Sequence, residues 1–251
     1  MNEEKYKFAQ GADFPGEKMN NKTIVFKIIV FIVYGLILGI VTILLSKKLT
    51  LSRTEDPGQV APLNKTPVRL LSVALGIAAS AGVVFTTQSY IEIAKDLLLL
   101  IPIFSIAFVD ALVRKIPNPL LLSMLLIDIG FLIYDCVKAE NADDIVNKVF
   151  AFIISFAFGF IVCLLPSLLK IPMGAGDIKY SAVIGATLYM LGYFQAMVLM
   201  ALLVALFYII LKITKKGTIK TQIPMGPFLS VGTVITLCFP ISNLVGNISL
   251  F

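Results

Sequence analysis

Two aspartates stand apart from the other acidic residues. The chain holds 15 Asp and Glu, most of them in polar stretches where a solvated charge needs no explanation. Asp110 instead closes the apolar run 97–109, and Asp177 follows Met173-Gly174-Ala175-Gly176 and opens another. Ionisable groups at such depth in hydrophobic segments are costly and point to function. Two carboxylates held close cannot both ionise, so they share a proton over a useful pH range. One then acts as general base on a water molecule. The other, protonated, polarises a scissile carbonyl and later protonates the leaving amine. This is the chemistry of an aspartyl peptidase, and the pair titrates as a unit, without fixed roles for its members.

The neighbours of both residues have physical uses. Gly174 and Gly176 admit backbone angles closed to other residues and leave no side chain in the way of an approaching peptide. Near a helix N-terminus, Asp177 sits where the helix dipole favours its anion. The plain alternative is a glycine-rich turn with Asp177 as the N-cap. After Asp110 come Arg114, Lys115 and then Ile116-Pro117-Asn118-Pro119. Asn118 suits the cap of the following helix and Pro119 its first turn.

Histidine is absent. That excludes a Ser-His-Asp triad, a Cys-His dyad and a His-ligated zinc. Cys136, Cys163 and Cys238 are far apart and form no CxxC pair, so they read as small hydrophobes.

The elements that must position these residues are membrane helices. Of 251 residues, 58% are hydrophobic and 14% charged, with mean hydropathy +0.94. A soluble domain is nearer half apolar and a quarter charged. Eight apolar runs cover residues 24–45, 70–87, 91–110, 119–137, 146–169, 178–191, 195–213 and 227–245. The expected fold is therefore all-α and polytopic, with about eight transmembrane helices. A polar tail is expected over 1–23 and an integral membrane domain over 24–251, with a short cysteine-free loop at 46–69. The start of the chain lacks the features of a cleavable signal peptide, so the first run reads as a retained helix.

The net charge is +6. The basic residues lie between apolar runs, so they read as topology signals and no nucleic-acid partner is expected. Connections after the first, third, fifth and seventh runs carry thirteen Lys and Arg, against seven on the other side. That bias predicts both termini outside and the two aspartates at the cytoplasmic face.

The text around the aspartates resembles the type IV prepilin leader peptidases. A helix-terminal Asp110, a basic turn and Ile116-Pro117-Asn118 resemble that family's first motif. Gly174-Ala175-Gly176-Asp177-Ile178-Lys179 matches its Gly-x-Gly-Asp-x-Lys motif. Pro224-Met225-Gly226-Pro227-Phe228 is similar to its Pro-x-Gly-Pro-Phe approach to the last helix. The resemblance covers about 97–237. It implies a membrane-embedded aspartyl endopeptidase that removes a short basic leader from prepilins or pseudopilins at the cytoplasmic face. It makes Asp110 and Asp177 the catalytic pair, with Gly174, Gly176, Lys179, Arg114, Pro117 and Asn118 as support. Arg114, Lys115 and Lys179 are expected to help positioning, with snorkelling interface anchors as the alternative. No metal or cofactor is implied for the peptidase. Many bacterial members carry two Cys-x-x-Cys pairs after the first helix, associated with N-methylation. The loop 46–69 has none, so S-adenosylmethionine is expected only if methylation is retained. No dependence of the peptidase on that loop is expected. The loop's Asp56-Pro57-Gly58 is a turn signal.

Two rival readings remain. Presenilin-like proteases pair Gly-x-Gly-Asp with a Tyr-Asp, and Tyr134-Asp135 is present. A helix from Asn118 to Asp135 rises roughly 25 Å, which places Asp135 across the membrane from Asp177. The other rival is a transporter or proton carrier using Asp128, the one acid well within a run.

Overall fold

The structure is a computed structural model, and it describes residues 21–54, 56–87, 89–169, 173–214 and 224–241. The expected tail lies almost wholly outside these residues, as do Lys170, Lys215, Lys216 and Lys220 of the charge bias. The described residues form helices and turns alone. They are α1 (Asn21–Leu51), a 3-10 turn (Pro57–Val60), α2 (Ala61–Asn64), α3 (Thr66–Thr86), α4 (Tyr90–Val113), α5 (Asn118–Val137), α6 (Ala142–Leu168), α7 (Ala175–Ile213) and α8 (Met225–Cys238). Six of them, α1 and α3 to α7, are long and apolar enough to cross a membrane, and α8 is a shorter apolar helix. The chain is an all-α polytopic membrane protein.

The sixth and seventh apolar runs fall in one element, α7. At ~1.5 Å per residue, its 39 residues would extend about 58 Å if straight, twice the bilayer core. It is not straight. Tyr189 takes φ 55° and ψ 177°, outside the helical region. The hydroxyls of Ser181 and Tyr193 hydrogen-bond at 2.6 Å. A straight helix would carry those two residues roughly 18 Å apart along its axis. The chain therefore reverses at Tyr189, and α7 is two segments folded back on each other. With α8, that recovers eight apolar helical segments from seven apolar elements.

Helix α4 is the centre. Leu99, Leu100, Ile103, Ile106 and Val109 are fully buried, and α4 packs against α1, α3, α5 and α8. Large apolar residues elsewhere point outward, such as Phe26, Leu122, Phe150 and Leu202. Hydrocarbon around them makes that exposure cheap.

Without a hydrophobic drive between helices in lipid, close approach at small residues does the packing. A Cβ on Gly35 or Gly39 of α1 would stand 2.5 Å from the Cα of Ile77 or Val73 on α3. Gly76 of α3 in turn lies against the Gly35 carbonyl. Ser80 donates across the same seam to the Phe31 carbonyl at 2.9 Å. Gly159 of α6 lies on the Ser181 carbonyl of α7, and Gly185 on that of Ser155.

The loop after α1 is ordered more than its length suggests. The Asp56 carboxylate accepts from Gly58 N–H at 2.8 Å, as the turn signal requires. Val60 and Leu63 are buried with Ile43, against Phe108 and Leu112 of α4. The loop is thereby fixed to the end of α4 that carries Asp110.

Candidate active site

Asp110 lies within α4, about one turn before its last residue Val113. It is 4% exposed. Arg114 ends the helix in the left-handed conformation, φ 54° and ψ 38°, with its N–H on the Asp110 carbonyl at 2.9 Å. That cap turns the chain sharply. The segment then runs through Lys115 and Ile116 to Pro117, which occupies the cap position of α5. Asn118 is thus the first helical residue, so the helix starts one place earlier than expected, and no side chain caps it.

Asp177 is the third helical residue of α7, and Gly174 holds the N-cap position. The Asp177 carboxylate reaches back to the Gly174 backbone N–H. This is the acidic half of a capping box, with glycine in place of the usual Ser or Thr. A Cβ on Gly174 would stand 2.7 Å from Asp177 Oδ2, so a side chain there would push the carboxylate aside. A Cβ on Gly176 would stand 3.1 Å from Ile116 Cβ. The two sequence motifs therefore pack on each other directly.

Together they line one cavity of about 320 Å³, within the range of ligand sites. Asp110, Arg114, Lys115, Ile116 and Asn118 form one side; Gly174, Ala175, Gly176 and Asp177 form the other. The two carboxylates act on each other electrostatically, and Arg114 acts on Asp110. Of the expected support residues, Gly174, Gly176, Arg114 and Asn118 line this cavity. Pro117 is buried and does not line it. Lys179 is exposed and faces a neighbouring apolar hollow with Phe156 and Phe160, away from the carboxylates.

Two contributors were not expected. Arg53, from the loop after α1, lines the same cavity. Its Nε is buried and has no hydrogen-bond partner. The loop after α1 thus contributes a side chain to this cavity, which the sequence did not indicate. The second is Gly226, at the start of α8. Its N–H donates to Asp110 Oδ2 at 3.0 Å. A Cβ there would stand 2.6 Å from the same oxygen. The Pro-x-Gly-Pro-Phe text held the signal, but only contact shows its use. Below this contact Tyr180 of α7, fully buried, shares a 2.7 Å hydrogen bond with Ser230 of α8.

The rival aspartates lie elsewhere. Asp135 is exposed, and Lys148 Nζ donates to its backbone carbonyl at 3.1 Å. It acts on Tyr189, at the far turn of α7 from Asp177. Asp128 is buried, accepts from Thr187 Oγ1 at 2.6 Å and faces Lys95 Nζ at 3.9 Å. Lys95 also stands 5.9 Å above the Tyr189 ring. These contacts tie α4, α5 and α7 together near the reversal. Among the described residues no group of three or more Cys, Asp or Glu is placed to hold a metal ion.

Fold and site together define a helical membrane protein with two carboxylates in one polar cavity. The type IV leader peptidase family matches residues 97–213. Over that stretch, which contains both aspartates, the chain is similar to type IV leader peptidases. The Gly226 segment lies beyond the matched residues. No curated protein and no solved structure matches the chain.

Proposed function

We propose that this protein is an aspartyl endopeptidase that removes the short basic leader from type IV prepilins or pseudopilins. Asp110 and Asp177 are its catalytic pair. The observation that carries the reading is the convergence of both motif aspartates on one cavity within the family-matched region.

The pair holds one proton between its members. The ionised carboxylate takes a proton from water as the water oxygen bonds to the scissile carbonyl carbon. The protonated partner donates to the carbonyl oxygen and, as the C–N bond breaks, a proton goes to the leaving amine. Water is the only co-reactant. The N–H of Gly226 holds one oxygen of Asp110 in place, and Gly174 does the same for Asp177. The other carboxylate atoms are left for water and substrate.

The cations of Arg53, Arg114 and Lys115 ring the cavity. They disfavour a basic leader inside it, so the leader's charges lie beyond the rim, at the lipid head groups. The excess of Lys and Arg on this side supports a cytoplasmic orientation of the cavity, with both termini outside. Prepilins and the bilayer are the partners this reading requires.

The test is cleavage in proteoliposomes. The purified protein with a membrane-inserted prepilin should release the leader and leave a product with one new N-terminus. An intact prepilin after prolonged incubation contradicts the proposal.

A further inference from the structure

An apolar groove of about 260 Å³ opens on the outer wall of the bundle. Its walls are α3 and α8 and its floor is α4, with Leu75, Ala78, Phe104, Ala107, Val231 and Val234 among its lining residues. Nearly all of its surface is carbon. Leu75, Ala78 and Val231 are exposed, so the groove faces the hydrocarbon.

The same helix faces continue to the carboxylate cavity. On α4, Ile103, Ala107 and Asp110 are spaced by four and three residues, which aligns them on one face. On α8, Val234, Ser230 and Gly226 are spaced by four, and Gly226 is the residue bonded to Asp110. Moving along the seam, a bound segment passes from lipid-facing carbon to Asp110 within one helical turn of Ala107. Ala78 and Ala107 leave room for another backbone to come close, which is how helices associate in lipid.

We infer that this groove docks the apolar helical segment of the substrate that follows the scissile bond. The inference rests on the peptidase reading and adds the surface that presents the substrate. A helix seated between α3 and α8 would deliver its polar end to Asp110 and Asp177. The segment before the scissile bond then leaves past the cavity rim, with its basic residues at the lipid head groups. The occupant is a polypeptide and not a lipid tail because the helix faces that wall the groove lead on to Asp110 and to Gly226, which is bonded to it.

The experiment uses the full chain in proteoliposomes with a membrane-inserted prepilin. A photo-crosslinking amino acid is placed at Ala78 or Val231 in the groove, and at Ile153, which is 57% exposed on α6, as an off-groove site. The groove positions should give adducts in the substrate's apolar segment, and Ile153 should give none. In a second arm, Ala78→Trp should raise KM for the inserted prepilin about tenfold at unchanged kcat, the pattern of lost ground-state binding. Equal adducts from Ile153, or adducts only to lipid or to a second copy of the enzyme, overturn the inference while wild-type cleavage preserves the peptidase reading. An unchanged KM in Ala78→Trp does the same. A wild type that releases no leader defeats the peptidase reading and this inference with it.

Discussion

The N–H of Gly226 donates to Oδ2 of Asp110 at 3.0 Å, and no side chain fits between them. Residue 226 lies 116 positions along the chain from its partner. Gly226→Ala should displace the carboxylate and cut cleavage by about 100-fold, the cost of a misplacement near 1 Å. Because only a methyl group is added, protein levels in the membrane should hold. Cleavage rate per unit of membrane protein is the measurement. Wild-type rates in Gly226→Ala would remove this residue from the site.

Arg53 brings a cation from the loop after α1 to the cavity, with Nε buried and unpartnered. Such a group is available to a substrate carbonyl or to charge that develops in the transition state. Arg53→Gln should lower kcat/KM about tenfold, and Arg53→Lys should restore part of the loss because charge is kept and the fork is lost. Lys179→Gln, on a residue facing away from the carboxylates, should leave the rate within about twofold, as for surface positions away from the reacting groups.

Asp128 is held for architecture in this account. Thr187→Val removes the donor to its Oδ2 at nearly constant volume. The protein should lose about 1–3 kcal/mol of stability, the cost of an unsatisfied buried group. Thermal unfolding in detergent should show a lower Tm, while cleavage at permissive temperature continues. Loss of cleavage in a variant with unchanged Tm would instead assign this cluster a part in the reaction.

The seam of α1 and α3 should be intolerant of side chains. A Cβ on Gly76 would stand 2.7 Å from the Gly35 carbonyl oxygen. Gly76→Val should destabilise the protein by about 1–3 kcal/mol or more through overpacking, read as a lower Tm. Gly130, around which a Cβ would meet nothing within 4 Å, should accept Ala at little cost. Equal Tm changes at the two positions would contradict the seam.

The catalytic candidates were legible because their signal is local. Asp110 and Asp177 interrupt apolar runs, and the glycines of 174–177 stand beside the carboxylate they accommodate. The apolar runs also set the span count, since each needs only its own composition. Contacts distant in sequence left no such mark. Arg53 looked like one more topology charge, and Gly226 like part of a helix approach. The reversal of α7 falls at Tyr189, a residue with no turn preference, so the run break was read a few residues later. Lys95 over the ring and the Ser181–Tyr193 bond across the reversal accompany this geometry, and neither pairing is marked in the sequence. Asp177 was read as a possible N-cap, but the cap position is Gly174, since the carboxylate reaches backward across the turn.

The central claim is that Asp110 and Asp177 act as a pair. The most direct measurement is prepilin cleavage in membranes by the wild type, Asp110→Asn and Asp177→Asn, with Asp128→Asn and Asp135→Asn alongside. Asparagine keeps the size and cannot cycle a proton. The first two should each lose at least about 100-fold, in line with removal of a general acid or base, at normal protein levels, while the other two still cleave. Normal cleavage by Asp110→Asn or Asp177→Asn would contradict the account.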